Sequence, residues 1–246
     1  MNYTTLFNTI KNYCENEFPS TTFTGTDGSS TVTTLSNDQV NTFITEAEKR
    51  IYNTVQIPAL RKNVTGTLTA GNPYLSLPSD WLAAYSIAVF YPDTSILFGT
   101  KYAYLLNKDV SFIREAYPSP QAAGIPKYYA LFGTQYTNNF ALSYILGPTP
   151  DQAYNVEMHY FYYPTSITVA GESWLGDNFD PVLLYGALLE AATYMKTEPD
   201  IIANYTARYQ EAVQQLRRLC DGLERGDAYR DGQTKLNTNL NGNVFS

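Results

Sequence analysis

Asp180-Pro181-Val182-Leu183-Leu184-Tyr185-Gly186-Ala187-Leu188-Leu189-Glu190-Ala191-Ala192-Thr193-Tyr194-Met195, followed at once by Lys196-Thr197-Glu198-Pro199-Asp200, is the stretch that decides the fold. Aspartate before proline is a favoured helix start: the carboxylate accepts free N–H groups, and proline at the first helical position has none to leave unpaired. Val182, Leu184, Tyr185, Leu188, Leu189, Ala192 and Met195 leave little polar surface, so this helix is expected to be buried nearly all round. Thr197-Glu198-Pro199-Asp200 is a second start signal. It opens a long helix with Ile202, Tyr205, Tyr209, Val213, Leu216, Cys220 and Leu223 on one stripe. The turn between them is so short that the two helices must form an antiparallel hairpin.

Helices also dominate the other end. Leu6, Ile10 and Tyr13 share a stripe between about Tyr3 and Tyr13. A Thr-, Gly- and Ser-rich stretch from Pro19 to Leu35, containing Gly25, Asp27, Gly28 and Ser29, reads as an exposed loop. Then comes an amphipathic helix capped by Ser36 or Asn37, with Val40, Phe43, Ile44, Ala47, Ile51 and Val55 at helical spacing. Glu46 and Arg50, four apart, are placed to pair on its opposite side, and Pro58 ends it.

Between Lys62 and about Val169 the period changes to short strands punctuated by turns. Val64, Gly66 and Leu68 alternate with threonines, and Gly71-Asn72-Pro73 turns the chain before Tyr74 to Leu77. Tyr85 to Tyr91 reads as a strand buried on both faces, and a short helix is expected near Asp109 to Ala116. Strands follow at Tyr128 to Phe132, Phe140 to Leu146, and Val156 to Tyr163. In the last, Val156, Met158, Tyr160 and Tyr162 alternate with Glu157, His159 and Phe161. Helices, then strands, then helices imply an α+β fold. The expected architecture is a bundle of about four helices built from both termini, with an inserted β-sandwich or barrel-like segment. The expected divisions are 1–60, 61–170, 171–226 and an extended polar tail over 227–246.

The 246 residues are 44% hydrophobic and 15% aromatic but only 16% charged, below the roughly 25% usual for soluble domains. Thr, Asn, Ser and 22 Tyr supply the polarity, which suits packing against other proteins. The net charge of −7 argues against a non-specific binder of nucleic acid or anionic membrane. Met1 to Thr9 lacks the pattern of a secretory leader, and no run approaches the roughly 20 apolar residues of a membrane span, so synthesis in a cytoplasm is expected.

Chemistry is sparse. Cys14 and Cys220 with one histidine cannot make a structural zinc site, and both thiols are expected free. No nucleophile elbow, Walker loop, dinucleotide fingerprint or zincin motif occurs. His159 shares a strand face with Glu157, and reads as a surface histidine rather than an oriented general base. Glu172, Asp177 and Asp180 could supply a hydrolase carboxylate pair; helix capping by Asp180 is the simpler reading. Tyr128-Tyr129 and Tyr160-Phe161-Tyr162-Tyr163 could form a sugar-stacking platform, although core and interface roles suit them better. No catalytic residue, metal or cofactor is expected.

An ordered set of segments then stands out. Ala47-Glu48-Lys49-Arg50-Ile51-Tyr52 ends a helix, and Leu77-Pro78-Ser79-Asp80-Trp81 and Pro126-Lys127-Tyr128-Tyr129-Ala130 each enter a strand. Leu146-Gly147-Pro148-Thr149-Pro150 precedes the Tyr-rich strand, Trp174-Leu175 precedes the buried helix, and Arg208-Tyr209-Gln210-Glu211-Ala212 lies in the last helix. From about Ser36 to Glu224 the chain resembles the head-to-tail adaptor (connector or neck) proteins of short-tailed bacteriophages. It departs from them in the long Thr/Gly/Ser stretch before Ser36 and in the lengthened polar C-terminus.

The resemblance implies a virion structural protein at the head–tail junction: a ring of twelve copies beneath the portal protein, with the helical part toward the portal and the β part extending the DNA channel. Implied partners are other copies, the portal, a tail nozzle or tail tube protein, and tail fibres, with DNA passing without sequence-specific binding and no membrane involved. The tail from Asp227 would order on a neighbour or the portal, with Tyr229, Arg230, Leu236, Leu240, Val244 and Phe245 as contact residues. The competing reading is an aromatic-rich carbohydrate- or receptor-binding tail module.

Overall fold

A computed structural model describes residues 1–24, 31–93, 99–119, 121–134 and 142–225. In chain order the elements are α1 (Tyr3–Cys14), β1 (Thr21–Thr24), β2 (Thr31–Thr34), α2 (Ser36–Thr54), β3 (Arg61–Leu68), β4 (Tyr74–Ser76), β5 (Trp81–Asp93), β6 (Gly99–Tyr104) and β7 (Leu106–Asn107). Then follow α3 (Val110–Ala116), β8 (Tyr128–Thr134), β9 (Leu142–Gly147), β10 (Tyr154–Tyr162), α4 (Ile167–Ala170), α5 (Trp174–Asn178), α6 (Asp180–Met195) and α7 (Pro199–Arg225). The fold is α+β. The chain divides into two compact units, one of Met1–Pro58 with the chain from Ser166, the other Ala59–Thr165.

In the helical unit, α6 packs against α1, α2, α5 and α7. Val182, Leu183, Leu184, Ala187, Leu188, Ala191 and Ala192 are buried, but Tyr185, Leu189 and Met195 are half-buried and Tyr194 is exposed, so the helix is covered on most sides rather than nearly all round. Gly186 lets the helices close: a Cβ there would lie 3.1 Å from Ala47 Cβ and 3.3 Å from the Tyr209 ring. The α6–α7 hairpin turns through Lys196 in the left-handed region (φ 53°), whose N–H reaches back to the last carbonyls of α6. The amphipathic pattern of α2 holds throughout, with Val40, Phe43, Ile44, Ala47, Ile51 and Val55 buried.

Several local expectations are corrected. Pro19–Leu35 is not simply a loop, because Thr21–Thr24 pairs antiparallel with Thr31–Thr34; Gly25, Asp27, Gly28 and Ser29 lie outside the described residues. Neither Ser36 nor Asn37 caps α2. The Asp38 carboxylate reaches back to the Leu35 N–H (3.3 Å), while Ser36 Oγ donates to the Glu17 carbonyl. Glu46 pairs with Lys49 one turn on rather than with Arg50, which pairs with Glu190 of α6. Asp180 is the first residue of α6, and no side chain caps that helix. Tyr13 and Leu223, at the ends of their stripes, are 52% and 50% exposed, since the stripe outruns the neighbouring helix there. The residues after Tyr163 coil into α4 and α5, capped by Ser166 and Ser173. Cys14 and Cys220 are not joined in a disulfide.

The strand-rich unit is a sandwich. One sheet has the order β3-β10-β5-β6, all antiparallel; the other has the order β4-β9-β8-β7. Ile87, Val89, Val156, Met158 and Tyr160 of the first meet Leu77, Tyr129, Tyr144 and Leu146 of the second to make one core. Helix α3, capped by Asp109, covers the far side of the second sheet through Ile113, which packs with Ala130 and Ile145. Only Ile87, Ala88 and Val89 of the Tyr85–Tyr91 run are buried, and Tyr85 is exposed. A register shift opposite His159 and Tyr160 bulges the strand there and turns Tyr85 outward.

Candidate interaction surface

The outer face of the β3-β10-β5-β6 sheet carries mainly uncharged polar groups and rings, with the carboxylate of Glu157 among them. Strand alternation fixes this: residues directly opposite one another share a face. Register therefore places Tyr104, Ala88, Glu157 and Thr65 in one cross-sheet row, and Tyr102, Phe90, Asn155 and Thr67 in the next. The face forms a shallow trough of about 630 Å³, reached by Thr65, Thr67, Asn155, Phe90, Thr100 and Tyr102. Tyr102 and Tyr104 are 60% and 68% exposed, and the Tyr102 ring lies 4.6 Å from that of Phe90.

The core-facing side of the same sheet, at its other end, is held by charge. Lys62 Nζ donates to Asp80 Oδ2 at 2.7 Å, and Tyr160 OH donates to Asp80 Oδ1 at 2.9 Å. Partial burial works to raise the Asp80 carboxyl, but these bonds outweigh it and hold the group below the usual carboxylate range. Burial and the carboxylate together push the Tyr160 phenol up to about 12. Beside this pair the Arg61 guanidinium sits 3.9 Å from the Tyr85 ring centroid and 5.1 Å from that of Phe161.

Charge is divided unevenly along the chain. Between Ala59 and Thr165 there are six Lys or Arg and six Asp or Glu, so the net −7 belongs wholly to the remainder. The same segment holds 14 of the 22 tyrosines. The strand-rich unit is thus neutral and tyrosine-rich, a composition that favours contact over repulsion.

The residues singled out from sequence do not assemble into a reactive centre. His159 Nε2 is 3.4 Å from Glu157 Oε1, a long contact, and that oxygen also accepts from Asn63 Nδ2. Asp177 lies in the first turn of α5 and Asp180 in that of α6. The tyrosine runs make no continuous platform, because alternation buries Tyr129 and Tyr160 while Tyr163 is exposed. Among the described residues, the most exposed rings of the unit, Tyr102 and Tyr104, belong to β6, which the sequence reading missed. Their signal was the alternation Thr100-Lys101-Tyr102-Ala103-Tyr104. Tyr229, Arg230, Leu236, Leu240, Val244 and Phe245 lie outside the described residues. Among the described residues, no three His, Cys, Asp or Glu gather as a metal site, and no helix is long and apolar enough to cross a membrane.

A family model described as SU10 adaptor protein matches residues 1–235. No curated protein matches the chain.

Proposed function

The chain belongs to the SU10 adaptor protein family, a family of bacteriophage head-to-tail adaptors, and from that membership we propose that it is the neck subunit joining the portal to the tail as a closed ring of twelve copies. The carrying observation is the family match over residues 1–235, which takes in both compact units. A head-to-tail adaptor is a virion structural component that oligomerises and contacts portal and tail proteins. The work is geometric and uses no catalysis. Its tail-side partner is a tail nozzle or tube protein, with tail fibres also attached at this level.

A ring built from identical copies needs heterologous contacts that close by rotation. A neutral, tyrosine-rich unit supports such contacts, since copies can be brought side by side without net repulsion. The negative charge of the helical unit, multiplied around a ring, would keep a passing duplex from adhering where it faces the lumen. The polar segment 227–246 would order against a neighbour or the portal. The test is to mix purified protein with isolated portal and image the product by electron microscopy. A ring of added density on one portal face is expected, and bare portals at saturating protein would sink the reading.

A further inference from the structure

Among the described residues, the first sheet of the sandwich ends in two strands that each have a single neighbour, β3 on one side and β6 on the other. Their hydrogen-bond phase can be read off. Leu105 N–H donates to the Ile87 carbonyl at 2.9 Å, which makes that pair a hydrogen-bonded one. Alternation makes Val89–Ala103 and Tyr91–Lys101 hydrogen-bonded too, and leaves Phe90–Tyr102 and Ala88–Tyr104 non-bonded. The N–H and C=O groups of Thr100, Tyr102 and Tyr104 therefore point out of the sheet edge. Carried across β5 and β10, the same alternation turns the backbone groups of Asn63, Thr65 and Thr67 out of the opposite edge. In each row the bonding is confined to the centre, and both ends are open.

An even number of antiparallel strands gives those edges opposite directions. Copies repeated around an axis thus bring β6 of one against β3 of the next as an antiparallel pair, with outward side chains on the same face at both edges. One register uses all six open residues, pairing Thr100 with Thr67, Tyr102 with Thr65 and Tyr104 with Asn63. The intervening pairs then fit as well. Lys101 falls opposite Gly66, which has no side chain to collide with it, and Ala103 falls opposite Val64, which is 37% exposed in the single chain. Resting on the ring reading above, we infer that copies of this chain join edge to edge in this register, making the first sheet continuous around the ring.

Charge and dimensions agree with that occupant. The unit that would touch its neighbour is the neutral one. Neither β3 nor β6 contains proline, a residue that guards edges against pairing; Lys101 is a milder guard, and Gly66 accommodates it. Four strands at about 4.8 Å advance ~19 Å per copy, so twelve copies close a perimeter of about 230 Å, or a diameter of about 70 Å. Such a ring is wide enough to surround a duplex.

The test replaces Val64 and Ala103 by cysteine in one chain. A non-bonded antiparallel pair holds its Cα atoms about 4.5 Å apart, within disulfide reach. Rings assembled on portal and oxidised with diamide should give a ladder of covalent multimers from the double variant. The singles Val64→Cys and Ala103→Cys and the unsubstituted chain, with only Cys14 and Cys220, should give none. As a second variant, Thr65→Pro removes an outward N–H without touching a bond to β10. It should melt like the parent yet load onto portal at least about tenfold less well, since edge strands tolerate proline. A ladder from Ala103→Cys alone would mean that β6 pairs with itself, and the inference is overturned. It is overturned also if rings form on portal with no ladder from the double variant while Thr65→Pro still assembles; the adaptor reading then stands. Bare portals with the unsubstituted chain remove both.

Discussion

Glu48 Oε1 accepts the backbone N–H of Ile167 at 3.0 Å, tying α2 to the first residue of α4 across 119 positions of sequence. The carboxylate is only 3% exposed, and burial raises its pKa above the ordinary glutamate value against the opposing bonds from Ser166 and Ile167. It stands where the chain re-enters the helical unit at Ser166. A buried charge at such a joint costs stability, and the bond it makes returns part of that cost.

The sign of the pH dependence follows. A folded-state pKa above the unfolded one means that the contribution is complete below the ordinary glutamate value and is lost as pH rises through the folded value. Glu48→Gln keeps an oxygen for the Ile167 N–H and removes the charge. It should match or exceed the parent's stability at pH 7 and flatten the change between pH 5 and 7. Glu48→Ala leaves that N–H without its acceptor and should lose about 1–3 kcal/mol. Thermal melts followed by helical circular dichroism at both pH values check the pair; a Gln variant as damaged as the Ala variant would contradict the account.

Asp80 has the opposite sign. Its folded pKa is held below the ordinary aspartate value by Lys62 and Tyr160, so its contribution is present above the unfolded value and is lost as pH falls through the folded one. Asp80→Asn should cost about 1–2 kcal/mol at pH 7, the roughly 1.5–3 kcal/mol of a hydrogen bond to a charged group reduced by the exposure of Lys62, and the difference should vanish in strong acid. Tyr160→Phe should lose about half as much, because Lys62 still pairs. Near-ultraviolet dichroism of the tyrosine-rich sandwich is the readout. Equal costs for Asp80→Asn at pH 3 and pH 7 would contradict it.

These residues also mark how far the sequence could be read. The α6–α7 hairpin and α2 were plain because apolar residues recur at one period over several turns, and that period survives packing. The β1–β2 hairpin was hidden because Phe23 and Val32 are the only large apolar residues in two threonine-rich strands. β6 was missed because its alternation runs with the rings outward and Lys101 and Ala103 at the inward positions, so no apolar buried face marks it. Caps at α2 and α6 shifted by a residue or more, because a cap depends on where the preceding chain arrives. The candidate surface was the least legible part. Being an edge is a property of strand order, and no local signal separates β6 from the central β10.

Gly186 supplies a steric prediction. A methyl here meets Ala47 Cβ at 3.1 Å and the Tyr209 ring at 3.3 Å, so α2 and α7 both give by tenths of an ångström. Gly186→Ala also gains about 0.5–1 kcal/mol of helix preference, which should offset most of that strain. Gly186→Leu has no such compensation and should cost about 1–3 kcal/mol. Combining it with Tyr209→Ala should recover part of the loss in a double-mutant cycle by urea unfolding. Strict additivity would show that the two do not meet.

The two cysteines report on how the helical unit opens. Burial pushes the Cys14 thiol from 9.0 up to about 11, so well below both values the thiolate fraction falls by about a hundredfold, and the thiolate is the species that reacts. Cys220 is 4% exposed on the buried side of α7. Iodoacetamide at pH 8 should therefore label neither in the folded chain at the rate of a free thiol. Cys14, half-buried near the end of α1, should react first, through fraying of that end. Cys220 should wait for α7 to separate from α6, so its labelling should follow the global unfolding free energy as urea is added. If Cys220 instead reacts at the Cys14 rate with no dependence on urea, then α7 is loosely held, and the α6–α7 hairpin is not the stable frame of the helical unit.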